Sequence, residues 1–186
     1  MKAIVRTQLQ QWLSGAKKIV VLCIGNTTRT DDAFGPMLAE KLRGAVPEHT
    51  TVIDAGTTPE NYTGTIRKLA PSHVLMIDTA DMDIVPGESR FVEAQDIEGF
   101  TLSTHAPPLR VIAKYLSTAI KAKVALLAVQ PRSLEFGEGL TDDLRNALIV
   151  TAEALIELLM RQRNPDRLFG LSRANPSGKK CEGRSS

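Results

Sequence analysis

Four short apolar runs are each followed by a segment whose apolar residues recur at helical spacing, and this alternation constrains the chain more than any other feature. The runs are "IVVLCI" at Ile19–Ile24, "TVI" at Thr51–Ile53, "VLMI" at Val74–Ile77 and "VALLAV" at Val124–Val129. Strands that are apolar at successive positions, and rich in β-branched residues, fit a parallel sheet covered on both faces. Ala33–Leu42, Glu60–Leu69, Pro107–Ile120 and Thr141–Met160 carry the helical spacing, and Thr7–Leu13 reads as a short leading helix. "SRFVEA", Ser89–Ala94, alternates after the turn signal "VPGE", which marks an edge or antiparallel strand. The order predicts an α/β fold: a single-domain, open, twisted, mostly parallel sheet of about five strands, with helices on both faces and right-handed crossovers.

Length and composition agree with one domain, since 186 residues at 42% hydrophobic and 24% charged supply a continuous core. The domain is expected over residues 1–163, with the last helix ending ahead of Pro165. Residues 164–186 form a basic tail rich in Pro, Gly and Ser, a composition that predicts a flexible terminus more simply than a nucleic-acid contact. The formal net charge of +2 hides this division: residues 161–186 hold seven Lys or Arg and two acids, leaving 16 basic and 19 acidic residues elsewhere. No run approaches the roughly 20 apolar residues of a membrane helix, and "MKAIVRTQLQQWLSG" lacks a signal-peptide apolar block. The expectation is a cytoplasmic protein with neither membrane nor nucleic acid as partner. Cys23 and Cys181 are too few for a disulfide framework, and Cys23 reads as core filling.

In sheets of this kind ligands bind beyond the carboxyl ends of the strands, which directs attention to the connecting loops. After the first run, "GNTTRTDDAFG" (Gly25–Gly35) lacks the glycine spacing of a dinucleotide site and sets Asp31 and Asp32 at a helix N-terminus. Two anions there repel a phosphate and favour a cation. One of them can be an ordinary N-cap; the second is surplus to that explanation. After the second run, "DAGTTPEN" offers Asp54 and Glu60, read as a weak ribose-like match and a first-turn acid. After the third, "VLMIDTADMD" places Asp78 directly at the end of the apolar stretch. "LSTHAPPL" then sets His105 ahead of a helix, whereas His49 and His73 read as surface histidines. If the sheet is as drawn, Asp32, Asp78 and His105 converge on one crevice. Two carboxylates and an imidazole without a thiolate suit a borderline divalent ion such as nickel, zinc or manganese.

Taken together, "GNTTRTDDAFG", "VIDAGTTPEN", "IDTADMDIVPGE", "STHAPPL" and "AVQP", in this order, resemble the hydrogenase maturation endopeptidases, especially the hydrogenase-3 type. The resemblance covers everything except the leader and the basic tail. It implies an endopeptidase that removes the C-terminal extension of the nickel-iron hydrogenase large-subunit precursor after nickel insertion. Matching motif to motif, it assigns Asp32, Asp78 and His105 as both the catalytic and the metal-contacting residues, and it selects Asp32 over Asp31. The implied metal is a nickel ion carried by the substrate protein, held there by cysteine thiolates, with no tightly bound cofactor of the peptidase's own. The ion either polarises the scissile carbonyl or activates a water, or it positions the extension while a carboxylate acts as general base. Two other readings stay open at this level. One is a metal-independent aspartic-type peptidase in which Asp32 and Asp78 share a proton. The other is a non-enzymatic metal- or nucleotide-binding module on the same fold.

Overall fold

The period of two along each strand decides which residues meet. In the computed structural model, which describes residues 1–99 and 106–162, Ile19–Ile24 (β1) and His73–Thr79 (β3) are buried at every position. Val21, Cys23, Leu75, Ile77, Ala125 and Leu127 point into one core, and Val20, Leu22, Ile24, Val74, Met76 and Leu126 into another on the opposite face. Such doubly covered strands are what a parallel sheet between two helical layers requires. Cys23 is core filling, with burial pushing its thiol pKa up.

The five-stranded sheet has the order β2-β1-β3-β5-β4, with β2 at Thr50–Gly56, β4 at Ser89–Glu93 and β5 at Lys123–Val129. All neighbours run parallel except β4, which pairs antiparallel with β5, as its alternating pattern and preceding turn predict. Helices α1 (Ala3–Trp12), α2 (Phe34–Leu42) and α5 (Asp142–Gln162) contribute to the first core. Helices α3 (Thr63–Leu69) and α4 (Ala106–Ala119) contribute to the second. From α2, Phe34, Leu38 and Leu42 are fully buried, each worth about 1.5–3 kcal/mol relative to exposure. Because β2 and β3 flank β1 on opposite sides, the chain reverses direction across the sheet between β1 and β3, the kind of switch point at which such sheets bind ligands.

Three expectations need adjustment. The leading helix starts at Ala3 rather than Thr7, since Val5, Leu9 and Trp12 together present one buried stripe. The segment expected as one helix over Glu60–Leu69 begins as a 3-10 turn, Pro59–Tyr62, and becomes α-helical only at Thr63; 3-10 turns are common where a helix starts. His73 is a buried residue at the start of β3, not a surface one, with its ring edge-on to Trp12 at 4.9 Å between centroids. The residues from 163 onward, which include the expected tail, lie outside the described residues. Among the described residues no helix is long and apolar enough to cross a membrane.

Burial, reinforced by the Lys123 ammonium, holds the His73 imidazole below its ordinary pKa. The folded protein therefore keeps it neutral where the unfolded chain takes up a proton. Its contribution to stability is complete above the unfolded value of about 6.5 and is lost as the pH falls from there through the lower folded value. Melting temperatures between about pH 7.5 and about pH 5.5 should fall more steeply for the wild type than for His73→Gln. Equal slopes would place the acid sensitivity elsewhere.

Candidate active site

The loop after β1 is folded back against the strand it leaves. Asn26 N–H donates to Asp32 O (3.0 Å), Asp32 N–H to Arg29 O (2.8 Å), and Arg29 N–H to Asn26 O (3.1 Å). The Asn26 carboxamide closes the turn by accepting from Thr28 N–H and from the Thr28 hydroxyl. Gly25, at φ +151, is required here, since a Cβ on it would stand 1.9 Å from Asp32 O. Gly35 meets the same limit from the other side, with its imagined Cβ 2.0 Å from Ile24 O. The outcome is a 3-10 turn, Thr30–Ala33, that carries both acids and runs directly into α2.

The two acids have different tasks, and neither is the simple helix cap considered from sequence. The N-cap positions are Arg29 for the 3-10 turn and Ala33 for α2, and neither makes a side-chain cap hydrogen bond. Asp31 is fully buried and receives hydrogen bonds from Arg132 N–H (2.8 Å), Ser133 N–H (3.0 Å), Thr141 N–H (2.8 Å) and the Thr141 hydroxyl (3.0 Å). All four donors belong to the connection between β5 and α5. Asp31 thereby fastens that connection to the β1 loop, and the two run side by side. Thr30 N–H donates to Gly137 O (2.9 Å), Gly137 N–H to Thr28 O (3.0 Å), and the Thr30 hydroxyl to Ser133 O (2.7 Å). On the outer side, the Arg29 guanidinium lies 5.0 Å from the ring centroid of Phe136, which is 81% exposed.

Asp32 is buried next to Asp31, and its Oδ1 accepts the hydroxyl of Thr79 at 2.8 Å. Asp78, fully buried at the end of β3, accepts the backbone N–H of Thr79 on its own Oδ1 at 2.9 Å. Thr79 thus touches both carboxylates, one through each of its donors. The next turn is held from β5's side. Gln130 accepts Met82 N–H on its carboxamide oxygen (2.7 Å) and donates to Asp81 Oδ1 (3.1 Å).

Asp32 and Asp78 therefore share the rim at the β1/β3 switch point. His105 lies outside the described residues. Among the described residues no group of three or more His, Cys, Asp or Glu side chains is placed to hold a metal ion. A groove of about 310 Å³ runs between the β1 and β2 loops, lined by Gly25, Asn26, Pro36, Asp54, Gly56 and Thr57. A larger hollow of about 680 Å³ lies between α1 and β4 and includes Trp12 and Lys123, the latter at the amino end of β5. That is the wrong end of the sheet for strand-end chemistry, so the smaller groove is the relevant one. Thr79 and Gln130 were not picked out from the sequence as site-building residues, and Asp31 was read only as one of two anions at a helix start. Adjacency to Asp32, adjacency to Asp78 and the "AVQP" motif were the available signals.

Comparison with known proteins agrees with this architecture. The sequence model for hydrogenase maturation protease matches residues 36–158. The hydrogenase 3 maturation protease of Escherichia coli K12 is 38% identical over 130 residues, which is 69% of this chain and 83% of that one. The crystal structure of a [NiFe] hydrogenase maturation protease HycI from Thermococcus kodakarensis superposes with a TM-score of 0.76 at 30% identity, covering 82% of this chain and 99% of the other. The solution structure of an endopeptidase HycI from Escherichia coli gives a TM-score of 0.65 at 33% identity, over 73% of this chain and 87% of that one.

The tether made by Asp31 can be tested by stability. Asp31→Ala orphans three amide donors, so a loss of at least about 3 kcal/mol is expected in denaturant unfolding. A loss within about 0.5 kcal/mol, the usual range for a surface change, would show that the two loops hold together without it. With its fold, its loop motifs and these relatives in agreement, the chain belongs to the hydrogenase maturation protease family, a family of endopeptidases.

Proposed function

We propose that this endopeptidase removes the C-terminal extension from the large-subunit precursor of a nickel-iron hydrogenase after nickel insertion, in the cytoplasm, and that the nickel carried by the substrate is its recognition element. The observation that carries this reading is the pairing of two buried acids, Asp32 and Asp78, at one strand-end rim, each accepting a hydrogen bond from Thr79. In this reading the two acids act together on the substrate's ion, with the donors of Thr79 holding one oxygen of each. His105 is the third ligand in this reading, giving two hard oxygens and an imidazole that complement the soft thiolates of the substrate. An incomplete donor set on the peptidase fits an ion that arrives with ligands of its own.

A precursor lacking nickel brings no ion for these residues to ligate and docks weakly. Once a loaded precursor docks, the ion polarises a carbonyl or lowers the pKa of a bound water. In this reading a neighbouring carboxylate accepts the proton as water adds to the scissile carbonyl. In this reading an extended segment of the substrate lies along the groove between the β1 and β2 loops.

Mass spectrometry of the large subunit, incubated with nickel and with each variant, tests the assignment. Asp32→Ala, Asp78→Ala and His105→Ala should each abolish processing or slow it at least about 100-fold while remaining folded. Complete cleavage by any one of them would remove that residue from the site. Separately, the wild type should leave nickel-free precursor uncut, and efficient cutting of it would contradict recognition through the ion.

A further inference from the structure

The placement of Thr79 points to a role beyond completing β3. We propose that Thr79 is the positioning residue that sets the separation and orientation of Asp32 and Asp78, and thereby the affinity of the site for the metal-loaded form of its substrate. The inference rests on the function proposed above.

Its basis is geometric. Thr79 is fully buried, and its hydroxyl donates to Asp32 Oδ1 at 2.8 Å while its N–H donates to Asp78 Oδ1 at 2.9 Å. Thr79 lies 47 residues from Asp32 in sequence, and Asp32 is carried by the 3-10 turn that runs into α2, whereas Asp78 belongs to β3. By the alternation along β3, Asp78 falls on the face of Val74 and Met76, and Thr79 on the face of Leu75 and Ile77, where α2 packs. With one donor on its backbone and one on its side chain, Thr79 reaches Asp78 and Asp32 at once from the end of the strand. The β-branched side chain has few χ1 options, so the hydroxyl is aimed at low entropic cost. The backbone of Thr79 is itself fixed by pairing opposite Val129 in the β3–β5 ladder. One oxygen of each carboxylate is thus committed to Thr79, and the carboxylate planes are set before any substrate arrives. Outer partners of metal-binding carboxylates orient them in this way, and losing one costs roughly 10–100-fold in metal affinity or activity.

Thr79→Val keeps the shape and removes the hydroxyl; Thr79→Ser keeps the hydroxyl and removes the methyl group. Single-turnover cleavage of nickel-loaded precursor should slow roughly 10–100-fold in Thr79→Val, with Thr79→Ser recovering most of the rate. Binding of intact precursor, measured by biolayer interferometry, should weaken in Thr79→Val for the nickel-loaded form and not for the nickel-free form, a selectivity that a packing defect would not produce. If Thr79→Val does not fold, Thr79→Ala takes its place in both measurements. Cleavage by the hydroxyl-free variant at the wild-type rate, or equal impairment of the Ser and Val variants, would overturn the proposal. Asp32→Ala and Asp78→Ala, run alongside, keep the two ideas separate. Full activity in those variants sinks the proposed function itself, whereas their inactivity beside a fully active Thr79→Val sinks only the role of Thr79.

Discussion

The carboxylate of Asp31 takes three backbone N–H groups and a hydroxyl from the stretch between β5 and α5, and the remaining geometry of the rim follows from it. A charge taken fully out of water is costly unless its lone pairs are filled. Four donors fill those of Asp31, and charge-assisted bonds of this kind are the stronger class. The donors also gain, because the loop's amide groups would otherwise lack partners beside the sheet. With this clamp in place, the 3-10 turn carrying Asp32 is pinned from three directions: by its own strand through Gly25, by α2 through Gly35, and by the distant loop through Asp31. A side chain expected to meet a substrate-borne ion is therefore presented by backbone that has little freedom to yield.

The same logic extends along the sheet edge. Gln130 at the end of β5 holds the turn after β3, and Thr79 at the end of β3 reaches to the turn after β1. Each strand end thus supports the loop of a neighbour, a consequence of parallel strands finishing at the same level. Adjacent sites in such a network do not act independently, so variants here should show non-additive effects.

Much of this was legible in the sequence. The strands could be read because both faces of β1, β3 and β5 are buried, leaving nearly unbroken apolar runs, and β4 because it alternates after a turn. Asp32 and Asp78 stood out as acids placed where apolar runs give way to loops. What could not be read depends on partners distant along the chain. The hydrogen bonds of Asp31 span 101 to 110 residues, so from the sequence it was one of two acids of which either could be a helix cap. Thr79 carried no signal of its own, because nothing local says that its hydroxyl will meet Asp32. His73 looked exposed for a related reason: a polar residue opening a strand gives no hint that Trp12, from a helix at the other end of the reading frame of contacts, will close over it.

The attachment of the two acids to different layers, Asp32 through the turn into α2 and Asp78 through the alternation along β3, has a mechanical corollary. Each carboxylate rides on a separate hydrophobic layer, one with α2 and α5, the other with α3 and α4. Their spacing therefore gauges how the layers are seated against each other. A cavity-forming change deep in one layer, such as at Met76, would displace one jaw of the grip and leave its opposite in place. Tolerance to interior mutation in this protein would then be set by alignment at the rim well before global unfolding became limiting.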